Sequence, residues 1–531
     1  MMIRINKVEL QLEESRTQLP EKIAQLLRIK PSDLRSWKIL KESVDARKDD
    51  VKFVLSIAVE TEKEELILRK NKNPQILREE ETLRTLPVPG IEDLPHRPVV
   101  VGLGPAGLFA ALTLARAGYA PLVLERGQDV DARDRAVDEF MALGKLNPES
   151  NIQFGEGGAG AYSDGKLTTR IKDPRVKEIL EALVEAGAPE EIRYLNKPHV
   201  GTDLLKGVVK NIRHEIIALG GEVRFSTKVT DVQVKAGKVV SVTAGGEVIP
   251  CSVLLLALGH SARDTYAMLF DRGFDMIAKS MAVGVRIENA QQHINESQYG
   301  RFAGHPALRA AEYTLTAKAA DGRGVYSFCM CPGGIVVPAA SEEGLLAVNG
   351  MSYHARDGKN ANSALVVAVN PADYGDHPLD GIRFQRDLER RAYQAGESPY
   401  FAPCQKAEDF LERKASKTLG EVLPTYTPGI TLTDLHGILP PVVAQGLRDG
   451  LLQFDRKIQG FAHRGAILTG VETRTSAPVR ILRTPELEST SIRGVYPTGE
   501  GAGYAGGIIS SAVDGMKVAE AVIATYRPWH R

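Results

Sequence analysis

The chain has 531 residues, of which 43% are apolar, 6% aromatic and 25% charged, and 67 basic side chains balance 67 acidic ones. This length corresponds to about three or four domains. The composition excludes a disordered or fibrous protein, and zero net charge gives no overall attraction to nucleic acid or an anionic membrane. Four cysteines are too few for a disulfide framework, so a reducing, cytoplasmic location is expected.

Residues 1–95 are expected to form a separate α+β domain. Residues 3–12 alternate like a strand, residues 19–27 have helical spacing, and residues 51–59 form another strand. This mixture suggests a small ferredoxin-like sandwich. Its charges also balance, which argues against nucleic acid binding and leaves a protein partner or a structural docking role open.

A glycine-rich turn follows the linker. The run VVVGLGPAG places a buried strand, residues 99–101, before Gly102, Gly104 and Gly107, and a helix follows. In a dinucleotide-binding turn the first glycine permits the sharp turn, the second lets the backbone approach a pyrophosphate, and the third lets the helix pack on the strand. Glu125 ends the next strand, where a carboxylate binds the adenosine ribose. The alternative is a glycine turn that binds nothing.

An uncharged run over residues 98–115 reaches the length of a membrane helix. The glycines and the proline of GLGPAG lie inside it and would break such a helix. No membrane association is therefore expected.

Three further segments extend the dinucleotide pattern. FGEGGAGAYSDGKL, residues 154–167, contains five glycines whose backbone can pass close to a flat ring. LLLALG is a third strand that ends at Gly259, and VYPTGEGAGYAGGI places Glu500 after a strand and a helix start near Ile508. The N-terminus of that helix would direct positive charge at a bound group.

These strings resemble flavoproteins with the glutathione-reductase type of FAD domain, and most closely the uncharacterised FAD-dependent dehydrogenases; FCMCPGG and ETRTSAPVRI also match. The resemblance implies an α/β fold with a Rossmann-like FAD-binding domain split into residues 97–280 and 478–531. A strand-rich cap domain, residues 281–477, is inserted between them. The cap contains no second GxGxxG after a strand, so NAD(P)H would enter only as a transient reductant.

The resemblance assigns the pyrophosphate to the three glycines of the turn, the ribose to Glu125, phosphate to Arg133 and adenine to Val229. It places Glu500 at the ribityl or pyrophosphate region. Residues 157–160 would pass along the isoalloxazine, and residues 507–509 would face its N1/C2 edge. The full set of expected cofactor contacts is Gly102, Gly104, Pro105, Ala106, Gly107, Glu125, Arg126, Arg133, Gly157, Gly158, Ala159, Gly160, Lys166, Val229, Gly259, Glu500, Gly507, Ile508 and Ile509.

Three residues are candidates for catalysis, each with a plainer alternative. Lys166 could add positive charge at the flavin or be a solvated loop lysine. His354 could be a general acid or an ordinary loop histidine. Arg474 could clamp a substrate carboxylate or form a structural salt bridge.

Two cysteines and the histidines complete the survey of reactive side chains. Cys329 and Cys331 are expected to pack or to line the flavin side, because an i, i+2 disulfide is strained and no thiolate-stabilising residue is adjacent. The histidines show no metal-binding spacing, so no metal is expected.

The expected function is an FAD-dependent oxidoreductase that transfers a hydride between flavin N5 and an unidentified small or medium organic substrate beneath the cap. The alternative is a flavoprotein with structural or sensory FAD whose N-terminal domain docks a protein or RNA partner. Neutral charge disfavours RNA.

Overall fold

The computed structural model describes residues 2–47, 50–80 and 84–529. Its first sheet has the strand order β2-β3-β1-β4, with antiparallel neighbours. This order and the βαββαβ sequence of elements are ferredoxin-like, as predicted. The elements are β1 (Met2–Gln11), α1 (Leu19–Leu27), β2 (Leu34–Asp45), β3 (Lys52–Thr61), α2 (Glu64–Lys70) and β4 (Ile76–Glu79).

A bulge in β1 explains its hydrophobic pattern. Ile3, Ile5, Val8 and Leu10 are all buried, although a regular strand alternates faces every residue. The pairing of β1 with β3 shifts between Ile5 and Val8, and Lys7 has a φ of +56°. The extra residue returns Val8 and Leu10 to the core face.

The N-terminal sheet is joined to the rest of the protein through its edge strand β2. The backbone N–H of Glu42 donates to the carbonyl oxygen of Tyr194 at 2.8 Å, and the N–H of Asn196 donates to the carbonyl oxygen of Glu42 at 2.8 Å. Arg16 donates to both carboxylate oxygens of Glu42, at 2.9 and 2.8 Å. One edge of the sheet is thus covered by residues 194–196.

The next part of the chain alternates strands and helices. Its elements are β5 (Val99–Val101), α3 (Pro105–Arg116), β6 (Leu122–Leu124), α4 (Val130–Leu143), α5 (Arg175–Glu185), α6 (Thr202–Ala218), β7 (Glu222–Arg224), β8 (Val229–Lys235), β9 (Lys238–Ala244), β10 (Glu247–Pro250), β11 (Leu254–Leu256) and α7 (Arg263–Asp271). Strands β8 to β10 form a small antiparallel sheet.

The strand-rich part follows. Its elements are β12 (Met276–Ala278), β13 (Met281–Ala290), α8 (Gln291–Tyr299), β14 (Thr316–Lys318), β15 (Gly324–Cys331), β16 (Ile335–Pro338), β17 (Val348–Met351), β18 (Asn360–Val369), α9 (Pro371–Tyr374), α10 (Asp380–Ala395), β19 (Ala402–Lys406), α11 (Ala407–Leu411), β20 (Ile430–Leu432), α12 (Pro441–Lys457) and β21 (Ile467–Glu472). Seven strands form one sheet in the order β14-β15-β18-β13-β21-β19-β20.

The last elements are β22 (Val479–Ile481), β23 (Val495–Pro497) and α13 (Ile508–Thr525). Strand β23 pairs in parallel with β11, which completes a parallel sheet of order β23-β11-β5-β6-β7. The predicted fold class, a split Rossmann-like domain with an inserted strand-rich cap, is therefore confirmed. The residue boundaries of the units stay predictions.

No helix within the described ranges is long and apolar enough to cross a membrane.

Candidate functional site

A cavity of about 580 Å³ lies where the carboxyl ends of the parallel strands face the cap. The turns after β5, β11 and β23 and the first residues of α3 and α13 form one side. The opposite side comes from the cap strands β15, β17 and β21. The carboxyl edge of such a sheet is where ligands bind in open α/β folds.

The glycine turn is shaped by close backbone packing. Gly102 has a φ of +97°, and a Cβ there would lie 2.4 Å from the carbonyl oxygen of Ala257. A Cβ on Gly107 would lie 1.9 Å from the carbonyl oxygen of Gly102. Gly104 lines the cavity and immediately precedes α3, so the positive end of this helix faces the cavity, as pyrophosphate binding requires.

Glu125 closes this turn from the neighbouring strand. Its buried carboxylate accepts hydrogen bonds from the backbone N–H groups of Leu103 (2.7 Å), Gly127 (2.9 Å) and Gly155 (3.0 Å). A carboxylate has about four acceptor positions, so capacity remains for a ligand hydroxyl. Glu125 also lines the cavity, which fits the ribose end of a dinucleotide.

The start of α13 forms a second backbone cradle. Gly506 and Gly507 line the cavity, and a Cβ on Gly506 would meet no atom within 4 Å. Asp514 fixes the preceding turn, because its carboxylate accepts from the N–H of Gly499 at 2.7 Å and from the hydroxyl of Thr498 at 2.9 Å. The positive end of the helix therefore faces the cavity.

Glu500 supplies a carboxyl group between the two cradles. Burial raises its pKa to about 7, opposed by Lys279. Glu500 lines the cavity, and no hydrogen bond to its carboxyl group is formed by the residues that the structure describes. A half-buried carboxyl group on the cavity wall without a protein partner can accept from a hydroxyl-bearing ligand such as a ribityl chain.

Most of the expected cofactor contacts lie on this one cavity. These are Gly102, Gly104, Pro105, Ala106, Glu125, Arg126, Gly158, Ala159, Gly160, Lys166, Val229, Gly259, Glu500, Gly507 and Ile508. The other four expected contacts do not line the cavity. Gly107 and Gly157 are packed against backbone or side chains, Ile509 is in the core, and Arg133 is buried.

Arg133 occupies a different place from the one expected for a phosphate contact. Its side chain is fully buried and donates to the carbonyl oxygens of Asn151 (2.8 Å), Ile152 (2.9 Å) and Glu156 (2.6 Å). These bonds hold residues 151 and 152 and the start of the glycine-rich segment of residues 154–167. A neighbour, Arg126, lines the cavity instead, with its guanidinium 3.9 Å from the Phe154 ring centre.

The segment around Lys166 is held against the cap. Buried Asp164 accepts from the guanidinium of Arg356, with the Nε bond at 2.9 Å, and from the hydroxyl of Ser352. Lys166 lines the cavity and pairs with Glu312 at 3.3 Å. Its ammonium group thus belongs to a cap contact and is not simply solvated.

The other two catalytic candidates are placed less favourably. His354 lies outside the cavity lining, and its Nδ1 is 3.0 Å from the carbonyl oxygen of Val200. Arg474 lines the cavity, but it donates to both carboxylate oxygens of Glu389, at 3.0 and 2.9 Å. Glu389 also binds Arg263. Arg474 therefore forms the structural salt bridge that was its alternative.

Sequence reasoning missed a buried network in the cap wall. Arg286 is fully buried in β13 and donates to both carboxylate oxygens of Glu472 at 2.9 Å. It also donates to the carbonyl oxygen of Cys329 at 2.6 Å and to Sγ of Cys331 at 3.4 Å. Burial raises the pKa of Glu472 to about 7, opposed by Arg286. No thiolate-stabilising residue is adjacent to the cysteines in the sequence, but Arg286 approaches them from another strand, and no local pattern indicates this contact.

No group of three His, Cys, Asp or Glu side chains in the described part of the chain is arranged to hold a metal ion.

Comparisons with known proteins agree with this site. A family model described as "FAD-dependent protein, C-terminal domain-like" matches residues 280–475, and a model of a domain of unknown function matches residues 2–60. An uncharacterized protein of Clostridium beijerinckii is 54% identical over 533 residues and covers 99% of both chains. The FAD-dependent monooxygenase nodY1 of Hypoxylon pulicicidum is 22% identical over 169 residues, which is 31% of this chain and 37% of that protein.

A solved structure with partial similarity is glycine oxidase from Geobacillus kaustophilus, at 11% identity and a TM-score of 0.34, covering 82% of this chain and 96% of that chain. At this score it supports no conclusion about activity. The glycine cradles, the unpartnered Glu500 and the family description together confirm FAD as the cofactor. With a full-length relative at 54% identity, the chain belongs to the family of FAD-dependent proteins that share this C-terminal domain.

Proposed function

We propose that the protein is an FAD-dependent oxidoreductase that exchanges a hydride between flavin N5 and a small organic substrate held beneath the cap. The observation that carries this proposal is the single cavity shared by the dinucleotide cradle and the cap strands. FAD supplies the hydride chemistry when bound. The protein supplies binding, orientation and exclusion of water.

The residues of the parallel sheet would hold the cofactor. The turn at Gly104 and the start of α3 would bind the pyrophosphate, and Glu125 the adenosine ribose. Glu500 would bind a ribityl hydroxyl, and the start of α13 at Gly507 would place positive charge near the isoalloxazine.

The cap would form the substrate side. Its cavity wall carries hydroxyl, thiol, carboxyl and guanidinium groups, supplied by Ser327, Cys329, Glu472, Arg474 and Thr475. Buried ion pairs hold the two charged groups, Glu472 with Arg286 and Arg474 with Glu389. A polar, rigid wall supports recognition of a substrate with hydrogen-bonding groups. We also propose that the chain divides into an N-terminal domain, residues 1–95, an FAD-binding domain, residues 97–280 and 478–531, and a cap, residues 281–477. NAD(P)H would act as a transient reductant of the flavin.

Anaerobic reduction of the bound flavin tests the proposal. The purified holoprotein is mixed with NADH, NADPH and a panel of alcohols, amines and hydroxy acids, and the loss of flavin absorbance is followed. We expect at least one compound to reduce the flavin faster than it reduces free FAD. Photoreduction with EDTA is the control for a reducible flavin. If photoreduction succeeds but no compound in the panel acts, the oxidoreductase proposal fails.

A further inference from the structure

We propose that Cys329 is a catalytic residue that accepts the substrate's proton when the hydride moves to the flavin, a role that rests on the function proposed above. The substrate class is then a compound with a hydroxyl or amino group on the carbon that loses the hydride. Cys329 is partly exposed and lines the cavity, whereas Cys251, Cys331 and Cys404 are buried.

A bulge in β15 places this side chain. Phe328 pairs with Ala364 and Cys331 with Asn362, so two residues, Cys329 and Met330, lie opposite one residue of β18. Cys329 has a φ of +44°. A bulge redirects the side chain of the extra residue and is common next to active sites. Here Cys329 and Met330 both line the cavity, and of the two only Cys329 is partly exposed.

Hydrogen bonds fix the bulge from behind. The carbonyl oxygen of Cys329 accepts from the guanidinium of Arg286 at 2.6 Å and from the thiol of Cys331 at 3.4 Å. Arg286 is itself held by Glu472 and by Asn362, whose Oδ1 accepts from its Nε at 2.9 Å. The thiol is therefore presented by a rigid wall, as proton transfer requires.

The surroundings of the Cys329 thiol favour its ionised form. The neighbouring Cys331 thiol lowers the pKa of Cys329, burial opposes this, and Arg286 and Lys166 lower it further, while Asp164 raises it. Cys329 in turn contributes to the raised pKa of Glu472 in the cap and of Glu500 beside the flavin cradle. The thiol thus lies at the junction of the cap and the cofactor-binding side.

The proposed step balances. The thiolate of Cys329 takes the proton of the substrate's O–H or N–H group, and the C–H hydrogen leaves with its electron pair for FAD. A C=O or C=N bond forms, so the substrate loses two electrons and FAD gains two. In the reverse direction the Cys329 thiol donates the proton.

Thiol titration gives a first test that is independent of turnover. The holoprotein is treated with iodoacetamide between pH 5 and 9, and each cysteine is followed by peptide mass spectrometry. We expect the alkylation midpoint of Cys329 to lie below about 8.5, the value of an ordinary thiol, and Cys404 to stay unmodified. A Cys329 midpoint at or above that value overturns the proposal.

Flavin reduction by the substrate found above gives the second test. Its rate should rise with pH as the thiolate forms, and Cys329→Ser should lower it on the order of 100-fold and remove that rise. Cys404→Ala, in the core of the cap sheet, should keep both rate and pH profile. Dithionite must still reduce the Cys329→Ser flavin, which shows that the cofactor is bound.

The two proposals fail differently. Reduction of the wild-type flavin with an unchanged rate and pH profile in Cys329→Ser overturns the role of Cys329 and leaves the oxidoreductase standing. Absence of any reduction of the wild-type flavin overturns both.

Discussion

The carboxylate of Glu125 accepts a hydrogen bond of 2.7 Å from the backbone N–H of Leu103, so the end of β6 is tied to the glycine turn after β5. The same carboxylate binds the N–H groups of Gly127 and Gly155. One side chain that lines the cavity thereby joins three backbone segments.

Glu125→Gln is expected to weaken FAD binding. The amide presents an NH₂ group to backbone donors and lacks the negative charge, and hydrogen bonds to charged groups contribute roughly 1.5–3 kcal/mol. Such a loss corresponds to a Kd about 10- to 100-fold higher. Fluorescence titration of the apoprotein with FAD measures it. Glu181→Gln, whose exposed carboxylate pairs with Arg193, should leave the Kd unchanged; equal Kd values for both variants would contradict the role of Glu125.

Gly107→Ala is expected to destabilise the protein. The new Cβ would lie 1.9 Å from the carbonyl oxygen of Gly102, so α3 must move away from the sheet. Overpacking of this kind typically costs about 1–3 kcal/mol. The matched change Gly207→Ala, in α6 with no atom within 4 Å, should stabilise the protein by roughly 0.5–1 kcal/mol. Thermal unfolding of the two variants should shift Tm in opposite directions.

Glu389→Gln is expected to destabilise the protein strongly at neutral pH. Burial alone would raise the pKa of Glu389, but Arg263 and Arg474 lower it well below its usual value. Removing one partner of a buried pair typically costs about 3–5 kcal/mol. Because the folded pKa is lowered, the stabilisation is full above the unfolded pKa of about 4.3 and is lost as the pH falls below it.

Urea unfolding of Glu389→Gln and wild type at pH 7 and pH 3.5 measures this effect. The difference in unfolding free energy should be smaller at pH 3.5. Glu342→Gln is the control, since that carboxylate also binds Arg263 but is 30% exposed. A deficit that is independent of pH would show that the charge of Glu389 is not the cause.

Arg16→Ala is expected to loosen the contact of β2 with residues 194–196. The guanidinium of Arg16 binds both carboxylate oxygens of buried Glu42, whose backbone forms that contact. Amide hydrogen exchange of Asn196 should become faster. Arg47→Ala, which removes an exposed partner of Asp45 in the same strand, should leave that exchange unchanged.

Local patterns predicted the elements that build the cofactor site. The strand Val99–Val101 and the start of α13 at Ile508 lie where the sequence indicated them, because glycine turns and apolar runs are encoded within a few neighbouring residues. The ferredoxin-like domain was also recognisable, although strand β2 was not singled out. Its burial is irregular, so it shows no clear alternation.

Long-range ion pairs were beyond such reasoning. Arg474 pairs with Glu389, which lies on helix α10 and 85 positions earlier in the sequence. Arg286, in β13, donates a hydrogen bond to the carbonyl oxygen of Cys329 in β15. Neither pair follows a period or a motif. The role of Arg133 was likewise not predictable. Its helix was predicted correctly, but its guanidinium donates to carbonyl oxygens of a loop and does not line the cavity.

We expect the split parallel sheet to make cofactor capture a late event in folding. Strands β11 and β23 are neighbours in the sheet, but the whole cap sheet lies between them in the sequence. Helices α3 and α13 are in contact although about 400 residues separate them. Contacts of such long sequence separation form slowly. Bound FAD therefore reports that the two distant parts of the chain have come together, so the flavin absorbance of a variant measures correct assembly as well as affinity.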